Sequence, residues 1–295
     1  MTVVQLRSLC AVVDHGSVTA AAGQLWVTPS AVSAAVVALQ RELGVALLAK
    51  DGRGVQVTPA GLVFARYART VLGLLDEAVG AAAAADDPSR GRVRIAAVTT
   101  AAEHVLAGAL ASFRREQPEV ALDLEVAPRD RVWAMLAVHE TDVVVAGRPP
   151  AGVADGLRGR RANDLVVVAA PSQAADPLLR TWLVREPGSG TRATTTAYLE
   201  SLGEEPPLLT LGSNGAVVAG AVAGLGVTLV ARDAVGRALA AGELVVIDLP
   251  GTPLSRPWHL VTAPTAGPTV GLLVAHLLTH GFVAVEPPPT VPRRG

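Results

Sequence analysis

Leu6, Leu9, Val12 and Val13 recur at helical spacing across residues 4–14 and Gly16 ends the run, so the chain is predicted to open with a helix. Ser17 suits the N-cap of a second helix over 18–25, with Val18, Ala21, Ala22 and Leu25 facing inward. After the short turn Trp26-Val27, Thr28 supplies another cap and Pro29 a first helical residue, and a third helix runs to Leu43 with Val32, Val36 and Leu39 as its buried stripe. Two short helices joined by a tight turn, the second offering small polar residues at its start, form a helix-turn-helix pattern. Gly44 stops the third helix. Residues 45–57 then read as two short strands around Asp51-Gly52-Arg53-Gly54, a wing.

Thr58-Pro59 repeats the cap-plus-proline device and opens a long helix to about residue 85. Phe64, Tyr67, Val71, Leu74, Leu75 and Ala78 line one face of it, and a second copy of the same helix is the simplest cover, giving a coiled-coil-like dimer. Asp86-Asp87-Pro88-Ser89-Arg90-Gly91 is a linker by composition. Beyond it, strand patterns at 92–98, 120–126, 142–146, 164–170, 181–185, 207–211, 227–231, 243–249 and 257–263 alternate with helical ones. The predicted fold class is therefore α/β with an all-α-type N-terminal domain, ligand sites lying at strand C-termini. The proline-rich tail, 286–295, is predicted to be disordered.

At 295 residues the chain is long enough for two or more domains, and half of it is apolar. Aromatic residues make up only 3%, which argues against stacking platforms for single-stranded nucleic acid. The net charge of −1 would argue against any DNA contact, but residues 1–75 hold six basic side chains against three acidic ones, an excess where the helix-turn-helix lies. Cys10 is the single cysteine, which excludes an internal disulfide. With neither a signal-peptide pattern nor an 18-residue apolar run, the chain reads as cytoplasmic.

For DNA, the candidate residues are Thr28, Pro29, Ser30 and Ser33 on the third helix, with Lys50 and Arg53 on the wing. Thr28, Ser30 and Ser33 would equally serve to cap and solubilise an ordinary helix; the wing and long helix in register favour DNA. For a ligand, Gly188-Ser189-Gly190-Thr191-Arg192 lies between strand and helix, where backbone N–H groups, two hydroxyls and a guanidinium converge as at an anion site. Thr99 and Thr100 stand at the end of the strand at 92–98, Gly147-Arg148 follows that at 142–146, and Asn214 follows the one at 207–211. A cleft facing these groups would take a small anionic metabolite. His276 and His280 stand four apart on a helix without a third ligand nearby in sequence, so no metal is expected. No cofactor is expected either, since nucleophile elbow, metalloprotease, Walker and dinucleotide patterns are all missing.

With these residues placed, the chain resembles the LysR-type transcriptional regulators over essentially its whole length. The resemblance rests on Gln5-Leu6-Arg7, Gly16-Ser17-Val18-Thr19, Ala21-Ala22 with Leu25, Val27-Thr28-Pro29-Ser30-Ala31-Val32-Ser33, Leu39, Glu42-Leu43-Gly44, Gly52-Arg53-Gly54 and Thr58-Pro59-Ala60-Gly61. It implies a winged helix-turn-helix over 1–58, a dimerising linker helix over 59–87 and an effector domain over 92–285. That domain would be similar to a periplasmic binding protein, with one lobe at 92–161 and 264–285 and the other at 162–263. The family also implies a homodimer assembling to a homotetramer on double-stranded promoter DNA, with no enzymatic activity and no membrane partner. The second half is most similar to activators of carbon dioxide fixation operons, through Ala96-Ala97-Val98-Thr99-Thr100-Ala101, Val145-Ala146-Gly147-Arg148-Pro149-Pro150, Arg185 to Arg192, and Leu211-Gly212-Ser213-Asn214. That likeness implies a sugar phosphate or reduced nicotinamide nucleotide as effector. The alternatives are a sensor of sulfite-like or other small anions, and a cytoplasmic α/β binding protein or enzyme. Where relatives often carry Gln and Arg, this chain has Pro29 and Ala34, and no charge occurs from Pro29 to Gln40.

Overall fold

A computed structural model describes residues 1–285 except 53, 152, 154 and 155. Three helices come first: α1 (Val3–His15), α2 (Val18–Leu25) and α3 (Pro29–Leu43). Each starts where a side chain can satisfy a free backbone N–H. Thr2 and Gln5 form a reciprocal capping box on α1, Ser17 accepts from Ala20 N, and Thr28 accepts from Ala31 N at 3.2 Å. Gly16 and Gly44 end α1 and α3 in the left-handed conformation. Leu9, Val36 and Leu39, at the spacing the sequence predicts, make one small core with Leu47, and Val12, Ala21, Ala22 and Val32 make another. Burying each Leu fully contributes about 1.5–3 kcal/mol.

The wing is an antiparallel pair, β1 (Leu48–Asp51) with β2 (Gly54–Val57), in the register Leu48 opposite Val57. It is tied to α3 by Gln40, whose Oε1 accepts from both Leu47 N and Leu48 N at 2.8 Å. The linker helix α4 (Pro59–Ala83) follows. Thr58 caps it and donates its hydroxyl back to the Ala46 carbonyl at 2.8 Å, locking wing to helix.

The sequence predicts Phe64 on the dimerisation face of α4, and the structure corrects this. Phe64 is half-buried against the chain's own Leu6, Cys10 and Ala68, because the first turns of α4 pack on α1. The outward stripe consists instead of Leu62, Val63, Tyr67, Val71, Leu74, Leu75, Ala78 and Val79. Burial also pushes the Cys10 thiol up to about 11, so it stays protonated at neutral pH.

Further along, α4 docks on the effector domain. Gly73 meets the carbonyls of Val138 and His139, where a Cβ would come within 2.5 Å of both oxygens. Arg69 pairs with Asp14 of α1 and lies 3.7 Å from Glu140, while His139 Nδ1 sits 2.8 Å from Glu77.

The effector domain begins with β3 (Arg92–Ala97). One helical stretch follows, made of α5 (Thr99–Ala101), a π-turn segment (Ala102–Leu106) and α6 (Ala107–Glu116). Next come β4 (Ala121–Val126), α7 (Arg129–Ala137), β5 (Val143–Ala146), β6 (Leu157–Arg161) and β7 (Asp164–Ala169). Then β8 (Trp182–Val184), α8 (Gly190–Leu202), β9 (Leu208–Thr210), α9 (Asn214–Val222), β10 (Thr228–Ala231) and α10 (Arg232–Ala240) build the second lobe. The chain closes with β11 (Val245–Ile247), β12 (Leu254–Ser255), β13 (Trp258–Thr262), α11 (Pro268–Thr279) and β14 (Val283–Ala284).

The first lobe is a sheet in the order β14-β6-β13-β5-β3-β4, with β3 parallel to both β4 and β5. The second combines an antiparallel β10-β7-β11 sheet, β12 joining on β7, with the parallel pair β8-β9. The expected second lobe, 162–263, therefore ends too late. β13 pairs with β5 and β6 and belongs to the first sheet. Its apolar run specifies a strand but carries no information about which sheet receives it. β6 escapes the sequence reading because Leu-Arg-Gly-Arg-Arg has no apolar alternation, and β12 and β14 are only two residues long. The tail 286–295 lies outside the described residues.

Candidate functional site

The helix-turn-helix and the strand ends of the two lobes hold the residues the sequence nominates. At the first, α2 and α3 meet at 107°, and Thr28, Pro29, Ser30 and Ser33 are all exposed at the start of α3. Their chemistry is not equal. Thr28 is committed to the cap and lies 3.0 Å from the Ser30 hydroxyl, whereas Ser33 makes no side-chain hydrogen bond among the described residues. Lys50 is exposed on β1 opposite Val55. Arg53, the expected wing-tip contact, lies outside the described residues. A further exposed side chain, missed in the sequence, stands in the α2–α3 turn: Trp26 is 94% exposed. A bulky residue inside a tight turn is the signal that could have found it.

In the first lobe the parallel strands deliver their C-terminal ends together. β3 leads into half-buried Thr99 and buried Thr100, β4 leads to Arg129 at the start of α7, and β5 ends at Gly147 and Arg148. Gly147 is open, a Cβ there meeting nothing within 4 Å. Arg148 is exposed, and its carbonyl accepts from the Arg129 guanidinium at 2.7 Å. Nothing in the sequence distinguishes Arg129, one charge among several in a polar stretch. Nearby on β13, burial and then the charges of Arg160 and Arg148 hold His259 below the ordinary imidazole range.

In the second lobe, β8 and β9 lie side by side and each feeds a helix N-terminus. Ser189 caps α8 and Ser213 caps α9, so Gly190, Thr191 and Asn214 occupy first-turn positions where backbone N–H groups point outward. Arg192 is less free than its sequence suggests. Its Nη1 donates to the Arg185 carbonyl at 2.7 Å and to Thr210 Oγ1 at 3.0 Å, bracing α8 against the β8–β9 ends. Arg185 itself is paired with Glu186. The lobes touch where α10 meets the π-turn segment just after Thr100, and Arg161 pairs with Asp233 at 3.1 Å.

His276 and His280 stack at 3.9 Å, and the fold supplies a carboxylate that sequence proximity does not reveal: Glu116, from α6, lies 3.0 Å from His276 Nδ1. Ser112 completes the group, 2.9 Å from His276 Nε2. Among the described residues no three His, Cys, Asp or Glu side chains are arranged to hold a metal, and no single helix is long and apolar enough to cross a membrane.

The bacterial regulatory helix-turn-helix model of the lysR family matches residues 3–62, and the LysR substrate binding domain model matches 86–281. The HTH-type transcriptional regulator CbbR of Rhodospirillum rubrum is 32% identical over 290 residues, covering 92% of this chain and 95% of that protein. Full-length CbnR complexed with its target DNA has a similar fold, with a TM-score of 0.65, 22% identity and coverage of 95% of this chain and all of that one. The Synechocystis PCC6803 CcmR regulatory domain in complex with 2-PG has a TM-score of 0.57 and 23% identity, covering 64% of this chain and 97% of that domain.

Proposed function

The chain belongs to the LysR family of transcriptional regulators, and from that premise we propose that its effector domain senses a small phosphorylated or similarly anionic metabolite in the cleft between the lobes. The observation that carries this reading is the set of donors at the strand ends: Arg148 exposed beside open Gly147 in the first lobe, and the capped first turns of α8 and α9 in the second. Such groups favour a phosphate or sulfate-like anion. The 2-PG complex of CcmR favours the phosphorylated class. Thr99, Thr100, Ser189, Gly190, Thr191 and Asn214 would donate to the anion. Arg192 would mainly hold α8 in place, given its bonds to Arg185 and Thr210.

The family is one of regulators, not enzymes, so the ligand acts by shifting populations. It must favour one DNA-bound arrangement over another through contacts made better in that arrangement. The exposed stripe of α4 would pair with a second copy, and two such dimers would form the tetramer on promoter DNA.

A thermal-shift panel of 2-PG, ribulose bisphosphate, a reduced nicotinamide nucleotide, inorganic phosphate and sulfite tests the site. At a hundredfold excess over Kd a ligand adds about 2.7 kcal/mol, a shift of several degrees. We expect a phosphorylated compound to raise Tm in the wild type and to lose that effect in Thr100→Ala and Arg148→Ala. A response to sulfite alone would favour the small-anion reading. No response to any of the five, or equal responses in both variants, would remove the proposed cleft site.

A further inference from the structure

The four tryptophans divide sharply. Trp133, Trp182 and Trp258 are at most 8% exposed, while Trp26 is 94% exposed. Its backbone adds a second anomaly. Trp26 ends α2 at φ 56°, ψ 40°, the left-handed region that glycine or asparagine normally fills at a helix terminus. Neither burial nor backbone preference explains a large aromatic residue there, and such outliers gather where a surface is used. Its surroundings point to the user. Val27 beside it is half-exposed, Thr28 and Ser30 follow, and α3 carries no charged side chain from Pro29 to Gln40. When a helix-turn-helix docks, the start of its second helix enters the major groove, so the turn just before it runs beside the phosphate backbone.

We propose that Trp26 is a DNA-backbone contact, its indole N–H donating to a phosphate oxygen and its ring lying on the adjoining deoxyribose. Trp offers a donor and no acceptor, which suits a phosphate. It also offers an apolar face for the sugar. Being neutral, it releases no counterion, and touching the backbone it reads no base. It therefore positions α3, supplying part of the orientation that charged side chains on that helix would otherwise give.

The test compares Trp26→Gly with Lys50→Ala in the full-length protein, measuring DNA affinity by fluorescence anisotropy as salt is varied. Glycine suits the left-handed backbone, so Trp26→Gly is expected to keep the wild-type Tm and oligomeric mass. It should weaken binding about tenfold, by the same factor on the DNA upstream of its own coding sequence and on unrelated DNA, with an unchanged salt slope. Lys50→Ala should lower that slope by about one. Trp26→Phe, which keeps the ring and loses the N–H, should fall between wild type and Trp26→Gly. Wild-type emission should change on adding DNA, and the Trp26→Gly protein should lack that change. Unaltered affinity in Trp26→Gly would overturn the proposal. So would a change of oligomeric mass in DNA-free protein, which would make Trp26 a protein contact, or a loss confined to one DNA sequence, which would make it a base reader.

Discussion

Replacing Val71 and Leu75 together with Asp is expected to convert the protein to monomers and to cost at least about a hundredfold in affinity for promoter DNA. Both side chains are more than two-fifths exposed on α4, in line with Tyr67, Leu74 and Val79. A 25-residue helix with that stripe facing water is unusual for a chain that is otherwise well packed. Burying a Leu or Val contributes about 1.5–3 kcal/mol, and two carboxylates against a like helix reverse that contribution and add repulsion. The DNA loss follows because a dimer holds two half-sites at once, and the second contact is intramolecular only while the pair persists. Light scattering reads the mass and anisotropy the affinity. An unchanged dimer would show that the stripe faces something other than its own copy.

Gly61→Ala is expected to loosen the wing and lower DNA affinity about tenfold, with a stability loss of about 1–3 kcal/mol. Gly61 is a buried residue in the first turn of α4, where any Cβ would lie inside the van der Waals shell of the Leu47 carbonyl oxygen and 3.0 Å from Val57 Cγ1. The overlap is with backbone, so no rotamer relieves it. Either β1 moves away or the Thr58 cap breaks, and both displace Lys50 and the wing. Hydrogen exchange over residues 46–58 should rise in the variant, while the effector domain should exchange as in the wild type.

That glycine also shows how a sequence carries structural information. Thr58-Pro59-Ala60-Gly61 was legible as a helix start, with hydroxyl and ring each having a known task, but the need for glycine depends on a carbonyl fourteen residues upstream. The same division runs through the fold. Caps, stops and apolar periods are local, so α1 to α4, the wing and nine strands of the effector domain could be read directly. Properties set by distant partners could not. Phe64 lies on an apolar face that α1 covers, β13 enters a sheet more than a hundred residues away in sequence, and His276 meets Glu116 across the lobe. The site divides likewise: the positions of Thr28, Ser33, Arg148 and Ser189 follow from local punctuation. The commitment of Arg192 to Arg185 and Thr210, and the exposure of Trp26, depend on the assembled chain.

The most direct test of the regulator proposed here is a DNase footprint of the full-length protein on the DNA upstream of its own coding sequence, with and without 2-PG or ribulose bisphosphate at saturating concentration. A protected region is expected whose length or affinity changes with one of these anions in the wild type and stays fixed in Thr100→Ala and Arg148→Ala. A footprint identical with and without every phosphorylated compound tried, in a protein that nonetheless binds the same compounds, would contradict it.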